Sequence, residues 1–332
     1  MRVQIHPTVM SQPERHGRDL NAIVDTFDTG QHAWVIDDLD VITSSRWVSE
    51  RASWDSLLTE LAEKMYRTAI DEVDSLSSRQ RLLIVSLEAE VGAFATPNGA
   101  AFYAAPASAR EILAKPAYLV LESATSDWHF LSAMARVFAC DSLMQAIDRA
   151  WLVPEHGGGS GDFLKRIDGL LERGIVKERI IALTDSDRLA PGPLPEKVAG
   201  MVDNITSRGA TVIVLFKREI ENYLPDTALD GKRTHDARVS FLELTRIQRD
   251  HFDMKSGFKA DKNTGQISLL PEQHELFANT NPWHLGRLKG GFGAHIGDQF
   301  KKSEISREEM IAVCETCPGE IERILRTIEE VL

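Results

Sequence analysis

Between Ala117 and Phe216 the chain repeats one pattern: a short apolar run, a turn, then an amphipathic stretch with apolar residues three and four apart. Apolar runs too short for helices, alternating with helical periodicity, predict parallel strands with crossover helices. The strands are expected at Tyr118–Leu121, Ala150–Val153, Arg179–Leu183 and Thr211–Phe216. The helices between them are expected at Asp127–Phe138, Phe163–Leu171 and Glu196–Thr206. Residues 1–115 mix signals. They contain an apolar run at Ala33–Ile36, an amphipathic helix around Trp54, Leu57, Leu58, Leu61 and Met65, and a strand-like Leu82–Leu87. A Pro97-Asn98-Gly99 turn between Val91–Ala95 and Ala100–Tyr103 suggests a hairpin. Beyond 225 the pattern is helical, ending in Ile321–Leu332 with a one-sided stripe of Ile321, Ile324, Leu325 and Ile328. The expected fold is α/β: a mixed α+β region at 1–115, a central parallel sheet flanked by helices at 116–225, and a mostly helical extension at 226–332 that completes the sheet domain.

At 332 residues the chain is long enough for two domains. Its composition is that of an ordinary globular protein, which excludes collagen-like, coiled-coil-only and wholly disordered chains. No apolar run reaches the roughly 18 residues a membrane span needs. Met1–Arg18 carries no signal-peptide run, so the expected compartment is the cytoplasm. Thirty-eight Lys and Arg against 50 Asp and Glu give a net charge of −12. That balance excludes a passive nucleic-acid coat protein, which binds by releasing counterions from phosphate. It leaves room for an enzyme that meets nucleic acid through metal ions and a local basic patch. Three cysteines cannot build a disulfide framework. Cys314 and Cys317 form a single CxxC without the second pair a structural zinc requires, so packing is their expected role.

In parallel sheets functional groups collect at the C-terminal ends of strands. The first strand here ends in Glu122, with Asp127 opening the next helix, and the second ends in the Gly-rich turn His156–Gly161. The third ends in Asp185-Ser186-Asp187, and the fourth in Lys217-Arg218-Glu219-Ile220-Glu221-Asn222-Tyr223-Leu224. In an extended chain residues i and i+2 share a side, which would aim Asp185 and Asp187 at one point. Two carboxylates about 4 Å apart repel by ~4 kcal/mol at an effective dielectric of 20, so their convergence requires a cation. Hard oxygen ligands favour Mg²⁺ or Mn²⁺. Glu219 and Glu221 share a side if their segment is extended, whereas in a helix only one of them faces the site. Asp37, Asp38 and Asp40 read as a solvated turn.

The ordered set of Glu122, the Gly-rich turn and the Asp185-Ser186-Asp187 triplet resembles the TOPRIM domain shared by topoisomerases, primases and several nucleases. The Lys217–Leu224 run is similar to the one that follows the fourth strand in the OLD (overcoming lysogenisation defect) nucleases. Weaker echoes stand at Met254-Lys255-Ser256-Gly257-Phe258 and Leu288-Lys289-Gly290-Gly291-Phe292. The resemblance implies a metal-dependent nuclease in which Glu122, Asp185 and Asp187 hold Mg²⁺ or Mn²⁺, with Asp127 and Glu221 as further candidate ligands. Lys217 is the candidate catalytic cation. Two features depart from the family. Ser123 replaces the glycine that usually follows the glutamate, and Asp127 lies five residues on rather than four. No GxxxxGK[ST] is present, so the ATPase that accompanies OLD nucleases must be a separate chain.

The same resemblance implies an effector of bacterial anti-phage defence acting on DNA in preference to RNA, with residues 1–115 available for docking the partner. A second copy of the chain remains open as another partner. The stretch after 225 is locally basic, and Lys232, Arg233, Lys255, Lys259 and Lys289 are the candidate nucleic-acid contacts. The competing expectation is a catalytically silent subunit that keeps the fold for interaction. A serine hydrolase using the His156–Gly159 loop is excluded, because no GxSxG elbow is present.

Overall fold

In a computed structural model the chain is described at residues 1–50, 55–71, 81–87, 101–158, 162–229, 235–261, 264, 266–302 and 304–332. Eight strands form two four-stranded sheets. β1 (Arg2–Ile5), β2 (Ala33–Val35), β3 (Leu82–Val85) and β4 (Ala101–Ala104) make the first. β5 (Ala117–Leu121), β6 (Leu152–His156), β7 (Ile180–Thr184) and β8 (Thr211–Val214) make the second. Every pairing is parallel, and both sheets have the same order, β2-β1-β3-β4 and β6-β5-β7-β8. In each, the chain leaves its first strand toward one edge and returns on the other side of it. A crevice therefore opens between the first and third strands at their C-terminal ends.

The mixture of helix and strand expected for residues 1–115 thus takes the form of a second parallel sheet. Val91–Ala95 and the Pro97-Asn98-Gly99 turn of the expected hairpin lie outside the described residues. Ala101–Ala104 is a strand, and it pairs in parallel with β3. Trp54 is also outside the described residues, and the helix expected around it runs Asp55–Asp71. Within the acidic turn, Asp38 caps the helix Leu39–Thr43 by accepting the Asp40 and Val41 amides at 2.9 and 3.3 Å.

All five residues of β7 are buried, because helices cover both faces of the sheet. Side chains alternate between the faces. Leu119, Leu121, Ile181 and Leu183 pack with the helices Ser126–Val137 and Glu320–Glu329. Val120, Ile180 and Ala182 pack with Phe163–Glu172 and Glu196–Ser207 on the other side. Phe241, Phe252, Phe258, Phe277, Leu288 and Phe300, all beyond 225, join the first of these cores. The C-terminal extension therefore packs directly against the face of the sheet that lies below Glu122 and Asp185.

The two units meet through polar contacts. Arg81 donates to Thr211 Oγ1 at 2.6 Å, and the Arg81 amide donates to the Glu330 carbonyl at 3.1 Å. Arg179, 1% exposed, lies 3.3 Å from His32 through Nη1. Among the described residues no helix is long and apolar enough to cross a membrane. Ile181→Ala, in the middle of the buried strand, is expected to cost about 2–5 kcal/mol in denaturant unfolding.

Candidate metal centre

The register of the second sheet builds the site. Leu121 pairs with Leu183, so Glu122 emerges beside Thr184, whose hydroxyl donates to Glu122 Oε1 at 3.0 Å. Asp185 follows immediately, and its Oδ1 accepts the Ile220 amide at 3.1 Å. The turn after β7 is fastened to the segment after β8. The Ser186 hydroxyl donates to the Lys217 carbonyl at 2.7 Å, and the Ser186 and Asp187 amides both donate to the Arg218 carbonyl at 3.0 Å. Asp187 takes a left-handed backbone, φ 53°, and is exposed. The extended geometry expected to align it with Asp185 is replaced by a turn, and Asp187 influences Glu122 only through its charge.

The segment after β8 is neither wholly extended nor a regular helix. Glu219 is extended, φ −146° and ψ 164°, and precedes a single 3₁₀ turn, Ile220–Tyr223. Asn222 holds that turn: its Oδ1 accepts the Glu219 amide at 2.9 Å, and its Nδ2 donates to the carbonyls of Arg249 and Phe252 at 2.7 and 2.9 Å. The change of conformation between Glu219 and Glu221 lets both carboxylates converge. Oxygens of Asp185, Glu219 and Glu221 all lie within 4.8 Å of one another, so these three residues can hold a metal ion. Glu219, absent from the expected ligands, is the residue sequence reasoning missed. Its two-residue spacing from Glu221 was the available signal.

The cation at the site is Lys255, not Lys217. Lys255 Nζ lies 2.9 Å from Glu221 Oε2 and 3.3 Å from Glu219 Oε2, while Glu219 Oε1 accepts the Met254 amide at 2.6 Å. The expectation that Lys217 faces the reaction is corrected. Its side chain, 2% exposed, turns into the core, where Nζ donates to Asp250 Oδ1 at 2.5 Å and the Val313 carbonyl at 2.8 Å, 5.2 Å from the centre of the Tyr223 ring. Lys255, expected to contact nucleic acid, is here the partner of Glu219 and Glu221. Lys259 and Lys289 are exposed; Lys232 and Arg233 lie outside the described residues.

Two glycines place Lys255. Gly257 and Gly291 have φ of 66° and 57°, and a Cβ on Gly257 would meet the Leu288 carbonyl at 2.0 Å. Across this contact the Phe292 amide donates to the Met254 carbonyl at 2.7 Å, and the Gly293 amide to the Lys255 carbonyl at 3.1 Å. The two segments that resemble family motifs are thereby locked into one another. Gly297 closes over Glu221, where a Cβ would stand 2.8 Å from Oε1. Glu221 is 0% exposed, and its Oε1 has no hydrogen-bond partner.

Asp127 is spent on its own loop. It accepts the Ser123 amide at 2.9 Å and the Ser126 hydroxyl at 3.1 Å. Ser123 accepts the amides of Thr125 and Ser126 at 3.3 and 3.2 Å. The turn thus closes on itself, with Asp127 close enough to raise the pKa of Glu122 and Asp185.

Burial pushes Glu221 up to about 7, with Lys255 pulling it down and Glu219 pushing it further up. Burial also raises Asp185 well above the usual carboxylate range, and neighbouring Glu122 adds to the rise. Glu122, Asp127 and Glu219 are raised, again chiefly by burial. Burial alone would lower Lys255, but Glu219, Glu221 and Asp185 outweigh it and hold the ammonium charged beyond the ordinary lysine range. The pattern is that of carboxylates needing more positive charge than one lysine supplies.

No protein-family model, curated protein or solved structure matches this chain.

Lys217→Met leaves Asp250 buried without its partner, and is expected to lower stability by about 3–5 kcal/mol in denaturant unfolding. Mn²⁺ binding by the folded variant is expected to persist, since Lys217 Nζ points away from the carboxylates.

Proposed function

We propose that the chain is a metal-dependent nuclease of the TOPRIM type, similar to the OLD nucleases, in which Asp185, Glu219 and Glu221 hold Mg²⁺ or Mn²⁺ and Glu122 stands beside them. The observation that carries this reading is the meeting of half-buried Asp185, buried Glu219 and Glu221 and a lysine past the ends of β7 and β8, with a Glu221 oxygen left unpartnered. An all-oxygen donor set suits a hard divalent cation. A bound ion would neutralise the phosphodiester and lower the pKa of an attacking water.

The protein's own groups divide the remaining work. Asp185 is oriented by the Ile220 amide and Glu219 by the Met254 amide, so their ligand oxygens need little reorganisation. Lys255 neutralises Glu219 and Glu221 in the absence of an ion. With an ion held by Asp185, Glu219 and Glu221, the Lys255 ammonium would be available to hydrogen-bond a phosphoryl oxygen that gains negative charge. Glu122, held by Thr184, is placed to orient water at the opposite side of the crevice. Exposed Lys259 and Lys289 are available to the polyanion, with DNA the favoured substrate. A separate ATPase and a role in anti-phage defence belong to the resemblance alone.

Isothermal titration with Mn²⁺ is expected to find binding that is lost in Asp185→Asn and Glu221→Gln. Because protons compete for Glu221, affinity should fall as pH drops below about 7. Plasmid cleavage should require Mg²⁺ or Mn²⁺, and Lys255→Ala should slow it roughly 10²- to 10³-fold, the scale of losing one transition-state donor. A protein that binds Mn²⁺ yet cleaves neither DNA nor RNA would keep the metal centre and remove the nuclease reading.

A further inference from the structure

Behind the carboxylate edge, on the far side of the Lys217–Asp250 pair, Cys314 and Cys317 occupy a turn that the proposed chemistry does not use. Both thiols are free, 5% and 7% exposed. Cys314–Thr316 forms a 3₁₀ turn closed by the Cys317 amide donating to the Cys314 carbonyl at 2.9 Å. Such an i to i+3 turn keeps the two Cα atoms within 7 Å, inside the limit beyond which a disulfide needs backbone movement. Cys314 also lines a surface cavity of about 510 Å³ together with Phe138, Met310, Ile311, Pro318 and Ile321. Cys314 thus borders a cavity open to the surface, and Cys317 stands three residues on in the same turn.

The surroundings separate the two cysteines by role. The hydrogen bond from Cys317 lowers Cys314 below the ordinary thiol range and Lys217 adds to that, against burial, Glu320 and Glu322. The same bond, with burial, raises Cys317. The third cysteine, Cys140, is raised to about 12 by burial and Glu329. A more acidic thiol at the cavity, paired with a less acidic one in the same turn, is the division of labour thiol–disulfide exchange requires.

We infer that Cys314 and Cys317 form a redox-active dithiol, oxidised reversibly by a low-molecular-weight disulfide such as glutathione disulfide. The Cys314 thiolate attacks one sulfur of the disulfide, whose S–S bond breaks and releases one glutathione thiolate. Cys317 then gives up its proton, and its thiolate attacks Cys314 Sγ and expels the second. The protein loses two electrons and two protons, and two glutathione thiols are formed. The turn is not isolated: the Thr316 hydroxyl, between the cysteines, donates to Asp250 Oδ2 at 2.5 Å, and the Val313 carbonyl accepts Lys217.

The test is to equilibrate the native full-length protein in glutathione buffers of increasing oxidised fraction, quench with an alkylating reagent and determine intact and peptide masses. The expected product loses two thiols together, contains a Cys314–Cys317 bridge, leaves Cys140 alkylated and returns to three thiols with dithiothreitol. Cys317→Ser should accumulate one glutathione on residue 314, and Cys314→Ser should accumulate none on Cys317. Three thiols retained by the folded wild-type protein at every glutathione ratio, or oxidation confined to Cys140, would overturn the inference. The wild-type titration decides it even if a serine variant fails to fold.

Discussion

Mutual repulsion of carboxylates at the C-terminal edge of the second sheet is the constraint on which the rest of this structure turns. Two unit negative charges 4.8 Å apart, the outer limit of separation among Asp185, Glu219 and Glu221, oppose each other by about 3.5 kcal/mol at an effective dielectric of 20. Three such pairs, with burial added, would undo the site if nothing offset them. Lys255 offsets part, and the carboxylates remain shifted upward, toward holding a proton. The site is held in tension until more positive charge arrives, which is how a metal centre keeps both ligand geometry and affinity.

Holding such a site together is the task of groups that never touch it. Lys217 and Asp250 form a buried pair, with the second Asp250 oxygen taken by Thr316 and another Lys217 proton by the Val313 carbonyl. A buried pair contributes little net stability, but removing one partner is costly, so the pair fixes position more than it adds free energy. Its backbone is where that position is used: the Lys217 carbonyl takes the Ser186 hydroxyl and the Arg218 carbonyl takes the Ser186 and Asp187 amides. Tyr223 joins the same support by donating to Glu320 at 2.6 Å.

The second sheet was legible in the sequence because it rests on short-range information. Apolar runs such as Ile180–Leu183, flanked by amphipathic stretches, specify strand and crossover helix directly, and the strand-end rule then points to Glu122 and Asp185. The first sheet was less legible. β2 and β4 are short, and the parallel pairing of β4 with β3 joins segments far apart in sequence, which local pattern does not reveal. The lysines show the limit most sharply. Lys217 stands next to the ligand segment in sequence, and Lys255 is more than thirty residues away. Which one reaches the carboxylates is decided by tertiary packing: the apolar and ionic cage that takes Lys217 inward, and the Gly257–Gly291 lock that brings Lys255 back.

Duplication of strand order invites a comparison of the two edges among the described residues. Both sheets have the order that opens a crevice between the first and third strands. At the first sheet the described residues there include His6, bonded to Thr8, and Ser86, whose amide donates to the Ala104 carbonyl; Asp37 and Asp38 follow the neighbouring β2 and are bound to Gln4 and to a helix cap. These groups satisfy one another. At the second sheet Glu221 has an oxygen without a hydrogen bond, and burial raises both Glu221 and neighbouring Asp185 above the usual carboxylate range. Topology supplies a crevice in both places. Among the described residues, what separates them is unmet electrostatic demand, created by the C-terminal extension folding Met254, Lys255 and Gly297 over carboxylates that an open sheet edge would leave to water.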